Sequence, residues 1–430
     1  MSKNIGINIS GYINKVLGLG TAVRANINAI KSAKIPFVVN DFNLIMPETT
    51  REINFHQIIS EENPFEINLI QINPDNLSNT LKTVSPNYFK NKYNIAFWAW
   101  ELENFPEEFI TYFDLFNEIW VPSNFCAEAI AKVSPCPVIK IMHSIEIKDT
   151  PYKRKDFALP DNKFIFMTMF DYHSSIKRKN PIATIDAYEK AFGLNDHKTL
   201  LIIKTSISKE FPEDKKLITD RIIDNKSIIL IEEIFENEKL YSLINCCDCF
   251  VSLHRSEGFG LTMAEAMYLG KPVIATAYSA NIEFMNINNY FPVKYNLIKT
   301  GNEYYFSSDK DFWADADIDD ASQQMSIVFN NRELALSIAQ NGQNYVKEFL
   351  SPKAIGDKIK HRVEIIQNNL MMINSTNEET KEKILLRQEN KSLKEKLDKI
   401  RSLKCVQLKI KFKNFQNKIS GKNKKYFWED

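Results

Sequence analysis

Two glutamates stand eight positions apart in the stretch S-E-G-F-G-L-T-M-A-E-A-M-Y-L-G-K-P-V-I-A-T, which runs from Ser256 to Thr276. They are Glu257 and Glu265. Gly258 and Gly260 follow the first, and Thr262 precedes the second by three. Thr262-x-x-Glu265 has the spelling of a capping box, which predicts a helix with Thr262 as N-cap. Gly270 and Pro272 supply its C-terminal cap and stop. First-turn N–H groups have no intrahelical acceptor, and with the positive end of the helix dipole they attract an anion such as a diphosphate. The glycines let the backbone come close to it. Glu257, ahead of these donors, and Glu265, one turn beyond them, can accept hydroxyl hydrogen bonds on either side of the anion. A nucleoside diphosphate sugar has that layout. Plainer roles stay open: Glu265 closing the capping box, and Glu257 as a loop carboxylate.

Other residues suit the same chemistry. Arg178 and Lys179 end the run Lys177-Arg178-Lys179 at a predicted helix start. Cations there oppose the macrodipole, so they need another reason for their place, and balancing a leaving diphosphate is one. Lys204, at the end of T-L-L-I-I-K, is a second source of such charge. Gly18-Leu-Gly20 predicts a loop after the first strand, facing diphosphate or acceptor, although it lacks the G-x-G-x-x-G spacing. Glu101 ends the strand Y-N-I-A-F-W-A-W and can face an acceptor. Its neighbours Trp98 and Trp100 suit either a sugar face or the core. Lone histidines such as His143, His173 and His254 are more often structural than catalytic. Asp315-Ala-Asp317 spells a metal-binding D-x-D, but it leads into a helix and reads as an acidic N-terminal cluster. Cys246, Cys247 and Cys249 lack zinc-knuckle spacing and read as buried thiols. No metal and no cofactor is expected.

The elements that must position these residues follow from apolar patterning. From the first strand to the helix at Asn124, strand-like and helix-like runs alternate, and several strands are continuously apolar. That is the mark of parallel strands covered on both faces. A polar, proline-bearing stretch over 147–162 interrupts the series, which then restarts from F-I-F-M-T-M-F. The fold class is therefore α/β, with two Rossmann-like doubly wound domains facing a central cleft. The expected divisions are 1–150 and 151–370 for the two Rossmann-like domains, and 375–430 for a helical and basic tail. In the tail Leu386, Leu393 and Ile400 are seven apart. Nine Lys or Arg and no Asp or Glu lie between Arg401 and Lys425, interleaved with apolar residues including Phe412 and Phe415. Residues 384–425 thus suit self-association, an anionic membrane surface, or a solvated tail.

Composition sets outer bounds. The 430 residues are 44% hydrophobic and 25% charged, as in a folded globular chain. A net charge of +1 excludes a nucleic-acid polyelectrolyte. No apolar run spans a bilayer and the N-terminus reads as a strand, so a cytoplasmic protein, or one peripheral on the inner face of the membrane, is expected.

The stretch Ser256–Thr276 closely resembles the E-x7-E signature of retaining GT-B glycosyltransferases, in particular glycosyltransferase family 4. F-D-Y-H-S-S-I-K-R-K-N-P, F-W-A-W-E-L-E-N-F-P-E-E-F, I-W-V-P-S-N-F and G-Y-I-N-K-V-L-G-L-G-T-A-V-R are similar to a bacterial subset of it. The likeness covers roughly residues 4–370. It implies that Glu257 contacts the donor sugar, that Glu265 binds the ribose, and that Gly258, Phe259, Gly260, Leu261 and Thr262 give main-chain contacts to sugar and phosphate. It further implies that Lys179 and Arg178 hold the diphosphate. The implied reaction is metal-independent hexose transfer, with retention, from a nucleoside diphosphate sugar to a glycan or lipid-linked acceptor, as in bacterial surface polysaccharide assembly. Rival readings are an epimerase or phosphorylase of the same fold, which would need other cleft acids or a cofactor lysine, and a non-catalytic membrane-surface protein.

Overall fold

A computed structural model describes residues 6–14, 18–42, 59–301, 304, 306–373, 377–402, 408–409 and 411–413. Two compact units divide the chain, Met1–Met372 and Ile373–Asp430.

The first unit holds two parallel six-stranded sheets. The first sheet is built from β1 (Ile7–Gly11), β2 (Phe37–Asp41), β3 (Ile67–Gln71), β4 (Tyr93–Phe97), β5 (Glu118–Val121) and β6 (Val138–Lys140). Helices α1 (Gly18–Ser32), α2 (Pro74–Thr83) and α3 (Asn124–Ala131) connect them, and the strand order is β2-β1-β3-β4-β5-β6. Every residue of β1, β3, β4 and β5 is buried, which is why these segments read as apolar runs without alternation. Among the polar exceptions, three asparagines satisfy one another. Asn8, Asn68 and Asn94 fall in register on β1, β3 and β4. Asn8 donates to Asn68 at 2.9 Å and Asn68 to Asn94 at 2.8 Å.

The second sheet comprises β7 (Phe164–Phe170), β8 (Thr199–Thr205), β9 (Ile228–Glu232), β10 (Cys249–Ser252), β11 (Val273–Thr276) and β12 (Phe291–Val293), in the order β12-β11-β10-β7-β8-β9. Around it lie α4 (Ile176–Lys179), α5 (Pro181–Phe192), α6 (Pro212–Ile222), α7 (Asn237–Cys246) and α8 (Leu261–Tyr268). Its core includes Phe166, Ile185, Tyr188, Leu201, Val251 and Ile274. An antiparallel hairpin, β13 (Tyr295–Lys299) and β14 (Phe312–Ala316), follows β12. Then come α9 (Ile318–Asn330), α10 (Arg332–Phe349) and α11 (Pro352–Ile373). The start of α11 returns to the first half of the chain: a Cβ on Gly356 would stand 2.3 Å from the Ala29 carbonyl oxygen. Arg362 pairs there with Glu118 of β5.

Glu107–Leu115 is a 3-10 helix, and its Phe109 and Phe113 join the aromatic cluster around Trp98 and Trp100. Three local expectations are corrected. Gly18 and Gly20 lie in the first turn of α1 and not in a loop. Asp315 belongs to strand β14 and pairs with Arg255, so only Asp317 acts at a helix start, accepting from the N–H groups of Asp319 and Asp320. Thr262 is not an N-cap, for α8 begins at Leu261 behind Gly260.

The second unit carries α12 (Asn377–Ser402), on which Leu386, Leu393 and Ile400 are each about half exposed. No helix among the described residues is long and apolar enough to cross a membrane. Of the basic tail, residues 414–430, including Phe415, lie outside the described residues.

Candidate active site

The loop after β10 builds the site. Gly260 has φ +96, a conformation that disfavours any side chain, and it turns the chain into α8. Gly258 runs against the first half: a Cβ there would lie 3.4 Å from Trp100 N and from the Ala99 Cβ. Its carbonyl accepts from Ser123 Oγ at 2.8 Å. Phe259 is buried edge-on to His143 and also packs against Phe284. The N–H groups of Gly258, Phe259 and Gly260 donate to nothing among the described residues. Those of Leu261 and Thr262 open α8 and have no intrahelical acceptor. Five consecutive N–H groups at one helix N-terminus are therefore without an acceptor among the described residues, an arrangement that suits an anion.

Glu257 is fixed just ahead of them. Its N–H donates to Ser279 Oγ at 2.8 Å, and Ser279 is held at φ 70. Its carboxylate bonds Lys179 Nζ, and Oε2 stands 3.6 Å from Arg178 Nη1. Burial pushes this carboxyl up, but Lys179 and Arg178 outweigh it and hold the group at about 2. Burial lowers the Lys179 ammonium, with Glu257 opposing. Burial also works against the Arg178 cation, and Glu101 and Glu257 overcome it and raise its pKa.

Both cations sit on the single turn α4, bracketed by Ser175 at φ 65 and Asn180 at φ 51. Left-handed backbone at a serine is a local strain that the surrounding structure must enforce. Here Ser175 Oγ accepts from Arg178 N, Arg178 Nη1 donates to Ser256 O at 2.9 Å, and Arg255 N donates to Arg178 O at 2.8 Å. The turn is thereby bonded to the glycine loop itself. The cations end up facing the acidic loop, not a helix dipole, which removes the objection to their position.

Glu265 lies deeper along α8 and is 6% exposed. It does not close a capping box; it accepts from Tyr241 Oη at 3.1 Å. Burial raises its carboxyl to about 7, with the Tyr241 bond and the Arg24 charge pulling the other way. These residues line a cavity of about 310 Å³ that also includes Thr21 of α1, Glu146 and Leu261. Through Thr21 and Arg24, α1 reaches this cavity. Gly20 is buried, and a Cβ on Gly18 would meet nothing.

The remaining candidates divide. Glu101 joins the cluster, its Oε1 3.6 Å from Arg178 Nη2. Lys204 does not: its ammonium donates to the carbonyls of Thr205 and Glu233 and lies 4.6 Å from the Phe235 ring centre. Burial lowers it to about 8, Glu233 partly restoring the charge. Trp98 and Trp100 are both core residues, 0% and 3% exposed. His254 is buried between Ser252 and Asn281, and His173 pairs with Asp171. His143 stacks on Phe97, and burial takes its pKa to about 3. Among the described residues no group of His, Cys, Asp and Glu is arranged to hold a metal ion. Sequence reading missed Tyr241, Arg24, Ser279 and the β13–β14 hairpin. Only the hairpin left a signal, in the paired strand-like runs 295–299 and 312–316.

The chain is similar in sequence and in fold to known proteins. Residues 153–345 match the family described as Glycosyl transferases group 1. A stretch of 132 residues is 31% identical to the alpha-1,3/1,6-mannosyltransferase ALG2 of Dictyostelium discoideum; it is 30% of this chain and spans 29% of that relative. The chain is similar in structure to sucrose-phosphate synthase (tll1590) from Thermosynechococcus elongatus, with TM-score 0.63 and 12% identity, over 85% of this chain and 99% of that one. It is also similar to Anabaena Alr3699/HepE in complex with UDP and glucose, with TM-score 0.61 and 12% identity, over 84% of this chain and 100% of that one. The shared architecture is the GT-B fold of two Rossmann-like halves.

Proposed function

We propose, from the match of residues 153–345 to the family described as Glycosyl transferases group 1 and from the GT-B fold of the chain, that the protein transfers a hexose from a nucleoside diphosphate sugar to a glycan or lipid-linked acceptor, with retention and without a metal ion. The observation that carries this reading is the pairing of Glu257 with Lys179 and Arg178 beside five unbonded N–H groups at the start of α8. The N–H groups suit a diphosphate. Arg178 and Lys179 supply fixed positive charge where a leaving nucleoside diphosphate gathers negative charge, the task a divalent ion performs elsewhere. Glu257, ionised at any ordinary pH, accepts from sugar hydroxyls and stabilises positive charge on the anomeric carbon as the glycosidic bond breaks. The departing diphosphate takes the acceptor's proton on the same face, which gives retention. Glu265 and the cavity around it hold the ribose and base. Relatives support the donor class: HepE is seen with UDP and glucose, and ALG2 is a mannosyltransferase. The acceptor class we propose, a glycan or a lipid-linked acceptor, is that of bacterial surface polysaccharide assembly.

The test is calorimetric titration and product analysis with UDP- and GDP-sugars in the presence of EDTA. One sugar nucleotide should bind and turn over, and Glu257→Ala should lower turnover by roughly a hundredfold or more while nucleoside diphosphate still binds. Absence of binding by every sugar nucleotide and by UDP and GDP, in folded protein, would refute the reading.

A further inference from the structure

A residue from the first half of the chain shares the cation at the centre of the site. Arg178 is 3% exposed, and its two terminal nitrogens face two carboxylates: Glu257 Oε2 at 3.6 Å and Glu101 Oε1 at 3.6 Å. Both are longer than the 2.7–2.9 Å of a tight charge-assisted bond, and Arg178 Nε has no acceptor among the described residues. Nη1 is fixed by the Ser256 carbonyl at 2.9 Å, and the guanidinium's charge is shared between two carboxylates, tightly held by neither.

The two carboxylates are not equally secured. Glu257 is bonded to Lys179 and anchored by its own loop. Glu101 is held from outside. Its backbone oxygen accepts from Ser256 Oγ at 2.5 Å, and its Oε2 accepts from Tyr304 Oη at 3.4 Å. Tyr304 lies in the loop between β13 and β14, with its ring against Trp313. The same loop grips the segment around Glu101. Phe306 packs on Trp100 and Phe109, and Asp311 Oδ1 accepts from Asn104 N at 3.2 Å and from Asn104 Nδ2 at 2.9 Å. From the adjoining strand loop, Tyr278 Oη donates to Glu103 at 2.9 Å. The hairpin therefore clasps residues 100–104 and presents Glu101 to Arg178.

We infer that Tyr304 is a positioning residue of the transfer reaction, and that Glu101 competes with the donor diphosphate for Arg178. This inference rests on the transfer reading above. A diphosphate beside Arg178 meets two carboxylates of its own sign, so its binding favours release of one. Glu101, secured by one long hydroxyl contact, is the one that yields. Once released it faces the cleft and accepts from an acceptor hydroxyl. Donor and acceptor sites are then coupled, and the coupling is reciprocal: donor binding prepares the acceptor side, and the donor loads first.

Titration of GDP and UDP into the full-length protein, Glu101→Gln and Tyr304→Phe tests this. Glu101→Gln should bind its nucleotide roughly tenfold more tightly, a gain of about 1.4 kcal/mol. Tyr304→Phe keeps the ring and every charge, yet should bind roughly threefold more tightly, because Glu101 loses its support. Hydrogen exchange in the peptide covering residues 98–110 should speed up when nucleotide is added to the unaltered protein. A merely structural tyrosine would give equal or weaker binding on loss of its hydroxyl. Binding by the unaltered protein with no tightening in either variant, or with residues 98–110 protected, overturns the competition and leaves the transferase reading standing. No binding by any of the three proteins overturns both.

Discussion

Glu265 shows how one side chain carries a condition-dependent property. It is an ordinary carboxylate by sequence, and its surroundings raise it to about 7. In the proposed function Glu265 takes the ribose, whose hydroxyls bond an ionised carboxylate more strongly than a neutral acid, so nucleotide affinity should rise with pH and level off above 8. Between pH 6 and pH 8 the ionised fraction climbs roughly tenfold for such a group, and calorimetry should see about that change. Glu265→Gln should flatten the profile. The stability effect has the opposite sign. A folded-state pKa above the unfolded one favours the fold at pH below about 4, and that contribution is lost as pH rises through 7. Glu265→Gln should therefore gain stability against the parent at pH 8 and not at pH 4, measured by urea denaturation. Glu257 runs in reverse, contributing above its unfolded pKa and losing that contribution as pH falls towards 2. The two glutamates of one motif thus answer to different pH windows because one faces two cations and the other faces a tyrosine and a more distant arginine.

At the scale of elements, the site depends on close approaches that only small residues allow. Gly258 and Gly260 were legible, since glycine beside a helix start signals a backbone contact. Gly356 was not, because a glycine within a helical run has no local reason to be there. Its reason is α1, whose Ala29 carbonyl would meet any Cβ. Gly356→Leu should push α11 off α1 and cost about 1–3 kcal/mol, as overpacked interiors do. Urea melts should show a lower midpoint; an unchanged midpoint would mean that α11 does not depend on that approach. The capping box was misread for a related reason. Thr262-x-x-Glu265 spells one, but Glu265 is drawn to Tyr241 of α7, so a neighbouring helix outbid the local partner.

The first unit is held partly by α11 folding back on the first half of the chain. Glu118 of β5 is 0% exposed and serves Trp120 Nε1 at 2.6 Å, Tyr93 Oη at 3.2 Å and the Arg362 guanidinium from α11. Arg362→Met leaves a buried charge with two neutral donors and should cost about 3–5 kcal/mol. The double variant with Glu118→Gln should recover most of that loss, since the uncompensated charge is then gone. Failure of the double variant to recover would show that Arg362 acts through packing alone.

Periodicity and punctuation in the sequence determined the two parallel α/β halves, since a strand buried on both faces must be apolar throughout. They also determined the N–H groups left without acceptors at the start of α8, because a glycine loop before a helix leaves them so. Residue chemistry singled out Glu257 as a hydroxyl acceptor and Lys179 and Arg178 as cations for a diphosphate; that the three pair with one another came only from the structure. Only the tertiary structure decided which candidates meet. It sent Lys204 to backbone carbonyls at the end of β8, put Trp98 and Trp100 into the core, and brought Glu101 of the first half to Arg178. It also placed Tyr304, some two hundred positions along the chain, against Glu101. Such pairings are set by how two sheets and a hairpin pack, and nothing in the local sequence around either residue encodes them.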